Sequence, residues 1–197
     1  ISLIAGSAYQ GLGLAIEHQN LTHRSENVSS ALGVLVPLLH TLLTGAEPNL
    51  ATSDYARQVR PPQITGEQLF ELYRDHQGPG NIPKQKMWEL HTLLADTPFE
   101  VDRLVREISD SEVINQLFAT ACYPEHGLPL LLYLAKARNM DVKSALLANA
   151  NAGGDNVHRG MVLGILVGAA NQELPEHLKR GLFAFDELQT AIEAFSE

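Results

Sequence analysis

Two stretches of this sequence, residues 128–137 and 161–170, carry apolar side chains around the whole helical period rather than along one stripe. A helix of that kind does not belong at a surface and has to be wrapped by other helices. This requirement constrains the fold more than any other feature, and the rest of the chain supplies the wrapping. Val28, Ala31, Leu32, Leu35, Leu38, Leu39 and Leu42 keep the i, i+3, i+4, i+7 rhythm of a buried stripe. Val101, Leu104, Val105 and Ile108 repeat it, as do Val113, Ile114, Leu117 and Phe118. Leu188, Ala191, Ile192 and Phe195 repeat it again near the end. No sustained alternation and no Asn-Gly or Asp-Gly turn points to strands. The expected fold is all-α, a compact multi-helix orthogonal bundle.

Breakers divide the helices. Ala46-Glu47-Pro48-Asn49 should end the helix before it, while Arg60-Pro61-Pro62 and residues 78–83 read as loops. Pro37 falls inside a stripe, where its missing N–H and its ring should kink or break the helix. A chain of 197 residues, 45% hydrophobic, can bury one sizeable core, so residues 1–197 are expected to form one all-α domain. The chain opens on Ile1 rather than Met, and is expected to be the C-terminal part of something longer.

Charge and cysteine content narrow the function classes. Only 14 Lys and Arg stand against 23 Asp and Glu, a net charge of -9. That argues against a nucleic-acid binder, which needs a basic face, and against anionic membrane surfaces as partners. The apolar runs also fall short of the roughly 20 residues of a membrane span. Cys122 has no partner for an internal disulfide, which fits a reducing compartment and a cytoplasmic location. Neither a phosphate-binding P-loop nor a Gly-x-Ser-x-Gly nucleophile turn is present.

Chemistry concentrates around Gly153-Gly154-Asp155-Asn156-Val157-His158-Arg159-Gly160. Two glycines permit backbone angles that other residues resist. Asp155 and Asn156 then open an apolar helix whose exposed N–H groups and dipole favour a carboxylate or a phosphate. Two readings stay open, an Asp helix cap after a Gly-Gly turn or a ligand or metal site at a buried helix start. Arg159 adds a planar fork suited to a diphosphate. The second candidate is Tyr123-Pro124-Glu125-His126-Gly127. There Glu125 and His126 either supply a general acid or base, or merely cap a turn.

Gly153-Gly154-Asp155 ahead of a glycine-spaced apolar helix resembles the Gly-Gly-Asp-Thr-Asp-Thr motif of the ADP-ribosylglycohydrolase family, which includes the J1 crystallins. Leu21-Thr22-His23, ahead of the helical stripe at residues 28–43, is similar to that family's Thr-His helix start. The resemblance spans residues 1 to 171. It implies an all-α fold of the family's type around a pair of Mg²⁺ ions, and hydrolysis of ADP-ribose linked to a side chain or polymer. It also implies that Asp155 is a metal ligand. Gly153, Gly154, Asn156, His158 and Arg159 would then surround an ADP-ribose-like small molecule or an ADP-ribosylated target. The departures matter too. Val157 stands where the family has its second Asp, and His158 replaces the following Thr, a nitrogen more suited to zinc or iron. Mg²⁺ prefers an octahedron of oxygens, so the site reads as incomplete. Two functional classes follow: a metal-assisted ADP-ribosyl hydrolase, or a non-catalytic crystallin-like or partner-binding helical protein that has lost the metal site.

Overall fold

Helices form where the chain offers a polar start, an apolar stripe and a stop. A computed structural model describes residues 5–60, 62, 64–68, 99–171 and 173–196. Ten helices lie wholly within the described residues: α1 (Ala8–Asn20), α2 (Glu26–Leu43), α3 (Pro48–Ala56), α4 (Val101–Glu107), α5 (Asp110–Val113), α6 (Pro124–Ala137), α7 (Val142–Ala152), α8 (Asn156–Asn171), α9 (Glu176–Arg180) and α10 (Phe185–Ser196). No strand is found among the described residues, only an isolated bridge between Ile114 and Phe118. The fold is all-α, as periodicity requires. Starts are capped by side chains that take up orphan N–H groups. The Ser7 hydroxyl accepts from the Gln10 N–H, that of Ser25 from the Val28 N–H, and the Asp141 carboxylate from the Ser144 N–H. The loop expected at residues 78–83 lies outside the described residues.

Helix α6 is the centre. Leu128, Leu130, Leu131, Leu132 and Leu134 are all buried. The helix packs against α2, α3, α4, α7 and α8, which is the wrapping its composition demanded. Helix α2 contributes Val34, Val36, Leu38 and Leu42 to the interior. Its 18 residues are long and apolar enough to cross a membrane by composition alone. It packs against α1, α3, α6 and α8. Pro37 neither ends nor splits it. The proline cannot donate to the Gly33 carbonyl, and burial of the flanking valines and leucines outweighs that one missing bond.

Three expectations are corrected. Helix α8 is not wrapped: Leu163, Leu166 and Val167 are buried, whereas Val157, Met161 and Ile165 form an exposed row at i, i+4, i+8. Its described neighbours α2, α6 and α7 do not enclose it. The stripe of α10 does not reach the core either, since Leu188, Ile192 and Phe195 are exposed. The residues from Val113 to Phe118 do not continue a helix. Helix α5 stops at Val113, and Asn115 adopts a left-handed φ of 72°. Asparagine tolerates that region because its short polar side chain bonds locally. Here the Thr120 hydroxyl donates to Asn115 Oδ1 (2.8 Å), and the Asn115 N–H donates to the Phe118 carbonyl (2.8 Å). The reversal drives Leu117, Phe118 and Ala119 into the interior, where Phe118 meets the edge of Phe99 at 5.9 Å.

Candidate functional site

The turn from α7 into α8 is built from two glycines in conformations that other residues resist. Gly153 has φ 69° and ψ −157°, a region essentially restricted to glycine. Gly154 has φ 62°, and a Cβ there would lie 2.2 Å from the Thr120 carbonyl oxygen. The close approach has a purpose: the Asp155 N–H donates to that same carbonyl at 2.7 Å. Asp155 is thereby placed at the start of α8, on the buried 117–120 segment. Its Oδ1 shares a 2.6 Å hydrogen bond with His158 Nδ1 one turn along the helix. The His158 side chain is 76% exposed and that of Asp155 26%, so the pair is open on the imidazole side.

Arg159 points elsewhere. It is 6% exposed, and Nε donates to Asn149 Oδ1 at 2.6 Å. Nη2 donates to the Gly153 carbonyl at 2.8 Å, and Nη1 to the Thr120 carbonyl at 3.3 Å. Burial lowers its pKa, with the charge of Asp155 acting in the opposite sense. The guanidinium is therefore the strut of the Gly-Gly turn, with all three nitrogens already engaged by the protein. Asn156 is also turned toward α7, donating from Nδ2 to the Ala150 carbonyl (3.3 Å) while its own carbonyl accepts from Asn149 Nδ2 (2.8 Å). Asn149 and Thr120 were missed by sequence reasoning. No local spacing marks either residue.

Asp155 and His158 present their polar groups to a cleft of about 220 Å³ between α2, α6 and α8, which the buried Arg159 side chain only borders. The walls are mostly apolar, among them Val28, Leu35, Leu131 and Val162. The exposed thiol of Cys122 and the ring of Tyr123 line it too. Gly153, Gly154 and Asn156 shape the turn without lining this cleft.

Glu125 and His126 are not brought to it. Glu125 accepts from Asn27 Nδ2 at 3.3 Å and lines a separate pocket of about 120 Å³ with Glu26 and Arg60. His126 is buried, and its Nδ1 accepts from the Ala119 N–H at 3.1 Å. Desolvation holds its pKa below the ordinary histidine value, against the pull of the Glu125 charge. A neutral, inward-facing imidazole with its acceptor committed to the backbone is not a surface acid or base.

The donor set was also tested against Mg²⁺. Among the described residues no group of three or more His, Cys, Asp and Glu is arranged to hold an ion. Asp155 brings one carboxylate, already engaged by His158, and the exposed Val157 side chain brings none. One carboxylate already bonded to an imidazole does not fit Mg²⁺, which is ordinarily held by one or two carboxylates beside water and phosphate oxygens.

An all-α chain whose Gly-Gly-Asp turn opens a helix on the edge of an apolar cleft defines a narrow class of protein. The chain matches the model of the ADP-ribosylglycohydrolase family over residues 3–197, past the residue 171 to which the motif resemblance reached, and it belongs to that family. No curated protein and no solved structure matches it.

Proposed function

We propose that the chain is a hydrolase of ADP-ribosyl or closely related glycosidic linkages, with the Asp155–His158 pair as its reactive centre. The observation that carries this reading is the 2.6 Å contact between those side chains in the cleft of a family member. Asp155 orients the imidazole, as a carboxylate does for a general base. His158 Nε2 then takes a proton from water as that water attacks the anomeric carbon. The bond from that carbon to the departing nitrogen or oxygen breaks, and the leaving atom gains a proton from solvent. The N-terminal turn of α8 favours the diphosphate through its dipole and N–H groups. No step is assigned to Mg²⁺, because the donor set does not fit it. The exposed thiol of Cys122 suits a cytoplasmic setting.

The second reading, a non-catalytic relative, is favoured by the exposed Val157 in place of a carboxylate. Incubation with N- and O-linked ADP-ribosyl substrates, with and without millimolar Mg²⁺, separates the two. Release of free ADP-ribose that is lost in His158→Ala and indifferent to Mg²⁺ supports the hydrolase. Absence of release with retained ADP-ribose binding identifies the non-catalytic relative.

A further inference from the structure

The Asp155 turn is held by residues 117–120, which lie outside any helix, with the Leu117 and Phe118 N–H groups reaching back to the Glu112 and Val113 carbonyls. Residues 117–120 are all buried, and the Thr120 carbonyl takes both the Asp155 N–H and Arg159 Nη1. Something has to fix that carbonyl in place. The Gly66 N–H donates to the Leu117 carbonyl at 2.8 Å and the Asn115 N–H to that of Phe118, which holds the near end. At the far end the Thr120 hydroxyl reaches back to Asn115 Oδ1, and the Ala119 N–H next to it is taken by His126 Nδ1 from the first turn of α6. An imidazole can accept at Nδ1 only when that nitrogen is unprotonated, with the proton on Nε2. A buried N–H without an acceptor is costly, so the imidazole and the backbone secure each other.

We propose that His126 is a positioning residue for the Asp155 site, acting through Ala119 and Thr120 to set the height of the Gly-Gly-Asp turn over the cleft. Helix α6 thus fixes the start of α8 by a side chain that does not line the cleft. The consequence for catalysis rests on the hydrolase reading, but the positioning itself does not. Amide hydrogen exchange followed by NMR tests it without any ligand. His126→Leu removes the acceptor, whereas His126→Asn offers an amide oxygen near the place of Nδ1. In His126→Leu the Asp155 N–H should exchange about tenfold faster relative to the Ala145 N–H of α7, as local opening predicts. In His126→Asn the ratio should stay within about twofold of the wild type. An unchanged ratio in His126→Leu, or equal loss at Asp155 and Ala145 in both variants, overturns the proposal. Should His126→Leu not fold, the wild type must show a scalar coupling between the Ala119 amide nitrogen and Nδ1, and His126→Asn must keep Asp155 protected. Failure of either is decisive. A failed exchange test leaves the hydrolase reading standing, and absent hydrolysis leaves the positioning role standing.

Discussion

Replacing Arg159 by Ala tests whether its charge serves a ligand or the fold. A cation in the first turn of a helix, where the dipole disfavours it, invites the idea of a diphosphate partner and a substitution that weakens binding but not stability. The structure corrects that expectation. Two of the guanidinium bonds are short, to Asn149 Oδ1 (2.6 Å) and to the Gly153 carbonyl (2.8 Å). The contacts at 3.3 and 3.5 Å, to the carbonyls of Thr120 and Asn149, are too long to count fully. Hydrogen bonds to a charged donor contribute about 1.5 kcal/mol or more each, so the two short ones give about 3 kcal/mol. Relief from burying the charge subtracts from this, and the cavity left by the side chain adds to it. The expected loss is about 2–4 kcal/mol. With a urea slope of about 2 kcal/mol/M, the unfolding midpoint should fall by roughly 1–2 M. Arg159→Lys should recover only part, because an ammonium cannot span the three acceptors of the planar fork. A loss under about 0.5 kcal/mol in Arg159→Ala would refute the strut.

Gly154→Ala should destabilise by more than about 2 kcal/mol, combining a left-handed backbone with a Cβ forced against the Thr120 carbonyl, which thermal unfolding will register. Leu38→Ala, at a fully buried position, should cost about 2–5 kcal/mol in chemical denaturation. Leu35 is only partly buried beside the cleft, so Leu35→Ala should fall below that range, contrary to what a wholly buried stripe implies. Acid should weaken the fold through His126. Its folded pKa is depressed, so its contribution is complete above the unfolded value of about 6.5 and is lost as pH falls from there through the folded value. His126→Asn should flatten that limb of the stability profile in denaturant titrations between about pH 7 and 5.

The helical class, the buried centre of α6 and the Gly-Gly-Asp turn were all legible in the sequence. Each follows from spacing within a few residues: a 3.6-residue apolar period, a polar cap, or a pair of glycines where the chain must enter left-handed space. The family motif is legible for the same reason, being one contiguous turn. Asp155 and His158 meet because i and i+3 share a helical face, and they do so at 2.6 Å.

Tertiary structure decided everything that depends on a partner far along the chain. The Thr120 carbonyl that receives Arg159 lies 39 residues away, and nothing in local spacing announces it. The same distance problem made Arg159 a strut rather than a free ligand group, and made His126, a candidate acid or base, an internal acceptor. Periodicity also failed after Val113, where burying Leu117 and Phe118 through a reversal at Asn115 prevailed over helical continuation. It failed again on α8, where an apolar composition demanded wrapping yet Val157, Met161 and Ile165 remain exposed. A sequence specifies which faces are apolar by its spacing. Which of those faces are covered, and where a long polar side chain finds its acceptors, is set by the packing of elements distant in the chain.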